Sequence, residues 1–146
     1  MFPDYSQLFF DLNLKYKGFS LVLEYADAFA SGLDQIYTDP NAFNLLIPQQ
    51  ISEYLVVGDS QGIQFGYFTK NGISIDFIYE NLNPEFDSFE SSVLRKSSNM
   101  GVGLSKYLAG NNLKIQASLF KTSNENLNNL DDNEFMSGSF LVQIAF

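Results

Sequence analysis

The residues Phe135-Met136-Ser137-Gly138-Ser139-Phe140-Leu141-Val142-Gln143-Ile144-Ala145-Phe146 decide how the chain is read. Side chains on a strand point alternately to its two faces. Here one face reads Met136, Gly138, Phe140, Val142, Ile144, Phe146, and the other Ser137, Ser139, Leu141, Gln143, Ala145. The apolar face continues without a break to an aromatic residue. A strand end of a soluble domain frays into water and gains little from such a face. A membrane β-barrel needs an apolar outer face and an interfacial aromatic on its closing strand. The competing reading is the terminal strand of a soluble sandwich, and the rest of the chain decides between them.

At 146 residues the chain reads as one domain, with no run of apolar residues long enough for a transmembrane helix. Aromatics make up 16% of it, with 15 Phe and 8 Tyr, which is rich for so polar a chain. The mean hydropathy of −0.07 does not separate the two readings, because half of each barrel strand faces a wet lumen. The formal charge of −9 argues against a nucleic-acid partner, which needs a basic footprint. With no Cys and no His, thiol chemistry and the commonest general base and metal ligand are missing. With no His to serve as a general base, an enzyme is not expected and no cofactor is implied. The opening Met1-Phe2-Pro3-Asp4 does not read as a signal peptide. Either the sequence is mature or its true start lies upstream.

From Gln7 to Tyr16 the chain alternates strictly, with Leu8, Phe10, Leu12, Leu14 and Tyr16 on one face. Lys17-Gly18 reads as a two-residue turn, and Phe19 to Ala28 as the returning strand. That loop length pairs Tyr16 with Phe19, Leu14 with Leu21, Leu12 with Leu23 and Phe10 with Tyr25, so every apolar residue meets an apolar partner. On the other face the same register sets Asp11 against Glu24, which is tolerable beside water and poor in a dry core.

Between about Phe29 and Ser60 the pattern breaks at Asp39-Pro40 and Ile47-Pro48. Within it the apolar stretch 42–47 reads as a short helix or as a loop that folds inward. Phe43, Leu45 and Ile47 are then candidates for a constriction. A third strand is expected from about Gln61 to Thr69 and a fourth from Ile73 to Leu82. A three-residue loop with Gly72 in the left-handed position pairs Thr69 with Ile73, Tyr67 with Ile75, Phe65 with Phe77 and Ile63 with Tyr79. After a long polar loop, Asn99 to Leu108 and a strand from Leu113 form a fifth and sixth strand around the turn 109–112, and a third polar loop leads to the closing strand.

Tight turns therefore fall at one end of the sheet and long loops at the other, the layout of a bacterial outer-membrane barrel. Strands of about ten residues also match the length needed to cross a bilayer at a tilt. Tyr16, Phe19, Tyr67 and Phe146 are expected near the periplasmic rim, and Tyr25 and Tyr79 near the outer rim, as membrane-interface aromatics. A soluble lipocalin-like barrel, with its apolar face inside, would not need loops segregated by length. The expected count of seven strands is odd, whereas bacterial single-chain barrels have even numbers. Either Ile51 to Val57 supplies a further strand, or the chain is the C-terminal portion of a larger barrel, which is the favoured reading.

Four stretches carry a family resemblance. The run from Phe10 through Asp11-Leu12-Asn13-Leu14-Lys15-Tyr16-Lys17-Gly18-Phe19-Ser20 to Glu24-Tyr25 resembles a hairpin of the phosphate-selective porin O and P family, especially its Bacteroidetes-type members. Gln64-Phe65-Gly66-Tyr67-Phe68 is similar to that family's next descending strand. The run from Gly101 to Leu108, with Asn111 to Gln116, resembles its penultimate hairpin, and Phe140 to Phe146 its closing strand. The resemblance covers most strands but not the long loops, and no run of basic lumen residues accompanies it.

The resemblance implies an outer-membrane porin for passive diffusion of small polar or ionic solutes. Asp11, Lys15, Glu24, Asp76, Glu80, Lys114 and Gln116 are the candidate pore-lining residues, and their mixed signs predict a weak charge preference. Expected partners are the bilayer of the bacterial outer membrane, the solutes, and further copies in a homo-oligomer. The alternative is a small closed eight-stranded membrane barrel with a structural or adhesive role, its lumen plugged by side chains.

Overall fold

The structure is a computed structural model that describes residues 4–31, 37–39, 44–45, 55–85, 95–108, 113–125 and 133–144. They form strands β1 (Asp4–Tyr16), β2 (Phe19–Ser31), β3 (Tyr37–Asp39), β4 (Asn44–Leu45), β5 (Gly58–Phe68), β6 (Ile73–Pro84), β7 (Ser97–Tyr107), β8 (Leu113–Asn124) and β9 (Asn133–Ile144). No helix occurs among the described residues. Seven strands make one antiparallel sheet in the order β1-β2-β5-β6-β7-β8-β9, and β3 pairs with β4 apart from it. The sheet is an up-and-down meander, not closed on itself.

Turn chemistry sets the register. Lys17 and Gly18 both adopt positive φ, 45° and 89°, so their twist matches that of the flanking strands and Tyr16 meets Phe19. The ladder then runs through Leu14↔Leu21, Leu12↔Leu23, Phe10↔Tyr25 and Asp11↔Glu24, as the alternation predicts. Gly72, at φ 72°, takes the left-handed position of the next turn. Its amide donates to the Thr69 carbonyl at 3.1 Å, and Thr69 N donates to Ile73 O at 2.8 Å. The expected pairs Tyr67↔Ile75, Phe65↔Phe77 and Ile63↔Tyr79 follow.

Several boundaries differ from expectation. β2 continues to Ser31 and β5 begins at Gly58, so the break between them is shorter than residues 29–60. Partners extend the strands here: Ala28 pairs with Gly58 and Asp4 with Ser31. Local alternation fades there, yet ladder hydrogen bonds still hold the backbone extended. Leu55, Val56 and Val57 are not strand, and residues 51–54 lie outside the described residues. Asn44–Leu45 is a strand paired with β3, not a helix, while Phe43 and Ile47 lie outside the described residues. So do the turn 109–112 and Phe146. Leu108 N nevertheless donates to Leu113 O at 2.9 Å and closes that hairpin.

The two faces are chemically distinct across all seven strands. One carries Leu12, Leu23, Ile63, Tyr79 and Met100 in a single lateral row, with parallel rows of Leu14, Leu21, Phe65, Phe77, Val102, Leu119 and of Tyr16, Phe19, Tyr67, Ile75, Leu104, Phe140. The other carries serines, glycines, Gln64, Gln116 and the charged residues Asp11, Lys15, Glu24, Asp76, Glu80 and Lys114. Ala28 and Val57 are the only buried hydrophobics among the described residues, which therefore form no apolar core. The most covered side chains in the middle of the sheet are serines of the polar face. Ser105 is 3% exposed beside Leu104 at 54%, and Ser118 is 9% exposed beside Leu119 at 56%. Adjacent residues on one strand differ this way when the sheet curls around its polar face. That is inside-out relative to a water-soluble barrel.

Candidate pore-lining face

All seven sequence-predicted lining residues stand on this inner, polar face, and the register brings some of them together. Asp11, Glu24, Gly62, Glu80, Asn99 and Thr122 form one lateral row from β1 to β8. Three carboxylates thus share a line, interrupted only by a glycine. At its far end Asn99 Nδ2 donates to Glu80 Oε2 at 3.1 Å, and Thr122 Oγ1 donates to Asn99 Oδ1 at 3.1 Å. The row borders a cavity of about 420 Å³ that Phe9, Asp11, Glu24, Ser60, Glu80 and Asn99 help to line. Residues of five successive strands border one space because the sheet is curved.

Nearer the tight turns lies a second hollow of about 380 Å³, bordered by Gln64, Ser74, Asp76, Ser105, Lys114 and Gln116 among others. Ser74 Oγ donates to Asp76 Oδ2 at 2.7 Å and fixes that carboxylate. Its other oxygen leans over Gly66, as does the Ser20 hydroxyl. A Cβ on Gly66 would lie 2.6 Å from Ser20 Oγ and 2.7 Å from Asp76 Oδ1. The glycine therefore makes room for two polar groups to converge. Lys15 shares this row with Ser20, Gly66 and Asp76 but is separated from Asp76 by two strands. Ser118 and Ser139 hydroxyls meet at 2.7 Å.

Sequence reasoning did not single out three aromatics that stand on the polar face. Phe68 and Tyr107 pack edge to face at 5.4 Å and 75°, with Lys114 Nζ 5.4 Å above the Tyr107 ring. The Phe120 ring lies directly over Gly101, filling the space that a side chain there would take. Counting parity outward from the Gly72 turn places all three aromatics on the polar face, so the signal was present.

The outer face has sharp polar limits. Gln61, Asn81, Ser98, Ser123 and Glu134 form a continuous row at the long-loop end of the apolar band. At the other end Phe19 stacks against Tyr67 at 4.4 Å and Phe65 at 6.0 Å, with Lys17 Nζ 5.1 Å above the neighbouring Tyr16 ring. Two lysines stand on this face, and they reach in opposite directions. Lys121 pairs with Glu134 at 2.8 Å toward the long loops, and Lys106 Nζ donates to the Asn71 carbonyl at 2.7 Å toward the tight turns. Both ammonium groups are thus carried away from the middle of the band. Of the rim aromatics, Tyr25 is level with the polar row, beside Gln61, while Tyr79 stands one row deeper.

The apolar band also drifts across the sheet. Leu12, the middle of its stretch on β1 (Leu8 to Tyr16), is in register with Met136. The middle of the stretch on β9 (Met136 to Ile144) is Phe140, four residues nearer the tight-turn end. Four residues span about 13 Å along a strand, and the six steps from β1 to β9 about 29 Å, so the strands incline to the band by about 25°. Closing a sheet into a barrel requires a stagger of this kind. At that inclination the β9 stretch covers about 24 Å of height, close to the ~25 Å band of outer-membrane barrels.

No helix among the described residues is long and apolar enough to cross a membrane, which says nothing about strands. No group of three acidic, His or Cys side chains among the described residues is placed to hold a metal ion. No family model, curated protein or solved structure matches the chain. What the fold and the site define is a class: a curved antiparallel sheet with a polar inner face and an apolar outer band.

Proposed function

We propose that this chain is the C-terminal portion of a larger up-and-down β-barrel in the bacterial outer membrane, a porin for passive diffusion of small polar or ionic solutes. The resemblance to the phosphate-selective porin O and P family supports that reading. The single observation that carries it is the inversion of the two faces, with serines covered inside the curve and Leu104 and Leu119 exposed outside it. Water-soluble proteins gain stability by removing apolar side chains from water. An apolar band bounded by a polar row at its long-loop end and by aromatics at its tight-turn end gains the same stability against hydrocarbon.

Passage needs no covalent step. Solutes would be sorted by lumen width and by lining charge. The sheet contributes four carboxylates (Asp11, Glu24, Asp76, Glu80) and two ammonium groups (Lys15, Lys114) to the lining. This half of the wall therefore favours small cations weakly and offers no basic track for phosphate.

Reconstitution of the complete barrel in planar bilayers tests the proposal. Stepwise conductance with a modest cation preference is expected under a salt gradient. A membrane-inserted protein without conductance would contradict the porin reading.

A further inference from the structure

The outer face is notched on β8. That strand presents Ile115, Ala117 and Leu119 outward, and Ala117 lies directly between Leu104 of β7 and Phe140 of β9. Strands β7 and β9 stand about 10 Å apart across β8. Large side chains on both, with only a methyl group between them, leave a trough open to the outside. Gly138 lengthens it. Leu119 leans over that glycine, where an added Cβ would lie 3.2 Å from Leu119 Cδ2. The hollow has a volume of about 670 Å³ and is walled by Ile75, Val102, Leu104, Leu119 and Phe140. Ordinary small-molecule clefts span about 300–1,000 Å³. These walls are hydrocarbon, and a polar occupant would lose its hydrogen bonds there.

Charge stands at one end of the trough. The next lateral row toward the tight turns is Ile73, Lys106, Ile115 and Val142, so Lys106 follows Leu104 along β7. The drift of the band sets its middle on β7 near Gly103, and Lys106 lies about 10 Å along the strand from there, close to the rim. Its ammonium donates to the Asn71 carbonyl at 2.7 Å. An ammonium donates three ways, so that bond does not exhaust it. Lys17, over the Tyr16 ring, and Lys70, in the turn, stand at the same rim. The carboxylates on outer-face strand positions among the described residues, Asp4, Asp27, Asp59 and Glu134, all lie at the long-loop rim. The tight-turn rim of this face is therefore cationic.

The geometry points to a binding site for one phospholipid of net negative headgroup, from the leaflet at the tight-turn rim, with an acyl chain in the trough and its phosphate at Lys106. This inference rests on the membrane reading above. A methylene chain fills a hydrocarbon trough without leaving a polar group unpaired. A phosphate oxygen accepts a short, charge-assisted hydrogen bond from the ammonium. A second copy in the same orientation matches the rim poorly, because it brings its own lysines to this height.

The complete barrel, purified in detergent, is titrated with dioleoylphosphatidylglycerol or with dioleoylphosphatidylcholine, and retained lipid is counted by native mass spectrometry. One phosphatidylglycerol is expected to stay bound, about fivefold more tightly than phosphatidylcholine, the discrimination that one lysine supplies near a membrane surface. Lys106→Gln is expected to remove that preference and Lys106→Arg to keep it. Ala117→Leu fills the trough and is expected to weaken retention of both lipids by a similar factor. It adds apolar surface to an apolar face, and heat-shifted electrophoretic migration checks the folding of every variant. The two Lys106 variants carry the test alone if Ala117→Leu does not fold.

Equal retention of the two lipids by the unaltered barrel overturns the inference, as does an unchanged preference in Lys106→Gln. Unchanged retention by a folded Ala117→Leu barrel overturns it too. An oligomer that Ala117→Leu dissociates would reveal a second copy in the trough, with the same consequence. All of these leave the membrane reading standing. Recovery of the protein in the soluble fraction, scored by flotation with vesicles beforehand, overturns the membrane reading itself.

Discussion

Asp11 stands directly opposite Glu24 across the β1–β2 ladder, and Glu80 follows two strands further on with only Gly62 between. Like charges in direct opposition cost a sheet roughly 0.2–1 kcal/mol. The arrangement persists at little cost where water screens it, and it places a line of negative potential along the wall. Glu24→Gln is therefore expected to stabilise the sheet by up to about that amount while lowering cation preference. The shift in reversal potential across a salt gradient checks it. An unchanged potential would mean that Glu24 does not meet the ion path.

Gly101 and Phe120 form a second dependent pair. A Cβ on Gly101 would collide with the Phe120 ring. Gly101→Ala is expected to lower stability by about 1–3 kcal/mol, the usual cost of overpacking. Phe120→Ala in the same chain should remove most of that cost, because the ring is then gone. A double-mutant cycle by denaturant unfolding in detergent measures the coupling. Additive effects would place the ring elsewhere.

Much of this was legible from local pattern. The Tyr16–Phe19 and Tyr67–Ile75 registers follow from turn length and from the glycines at positions 18 and 72, because a one-residue slip would turn every apolar residue inward. The facing of Asp11, Glu24, Asp76 and Glu80 came with it. Phe68, Tyr107 and Phe120 were missed because lining residues were sought among charged and amide side chains, although parity sets these rings on the same face. The ends of β2 and β5 were missed because ladder bonds such as Ala28↔Gly58 hold strands extended beyond the alternating region. The opposed reach of Lys106 and Lys121 depends on side-chain direction, which periodicity does not encode.

The apolar band predicts a strong dependence on face. Phe77→Arg, at mid-band, is expected to cost about 2–4 kcal/mol in a lipid-embedded barrel. Gln116→Arg, on the polar face, should stay within about 0.5 kcal/mol. Unfolding in lipid vesicles compares the two. Similar costs at both positions would contradict the assignment of faces.

The turn at Lys17 carries strain that the sequence leaves in place. Lys17 holds φ 45°, a conformation that costs an L-residue about 1–2 kcal/mol and that Asn tolerates better. Lys17→Asn creates the Asn-Gly pair that such hairpins favour, and about 0.5–1 kcal/mol of stabilisation is expected. A rise in the denaturant midpoint at constant slope is the expected readout.

The neighbours Ser118 and Leu119 point to opposite faces of β8, one covered and one exposed. They give the most direct test of the account. Spin labels are placed at Ser118→Cys and Leu119→Cys of the full-length protein in bilayers, and collision with oxygen and with a water-soluble nickel chelate is measured. The account predicts that the label at 119 meets mainly oxygen dissolved in lipid and the label at 118 mainly the chelate. The opposite pattern, with 119 shielded from lipid and 118 immersed in it, would contradict it.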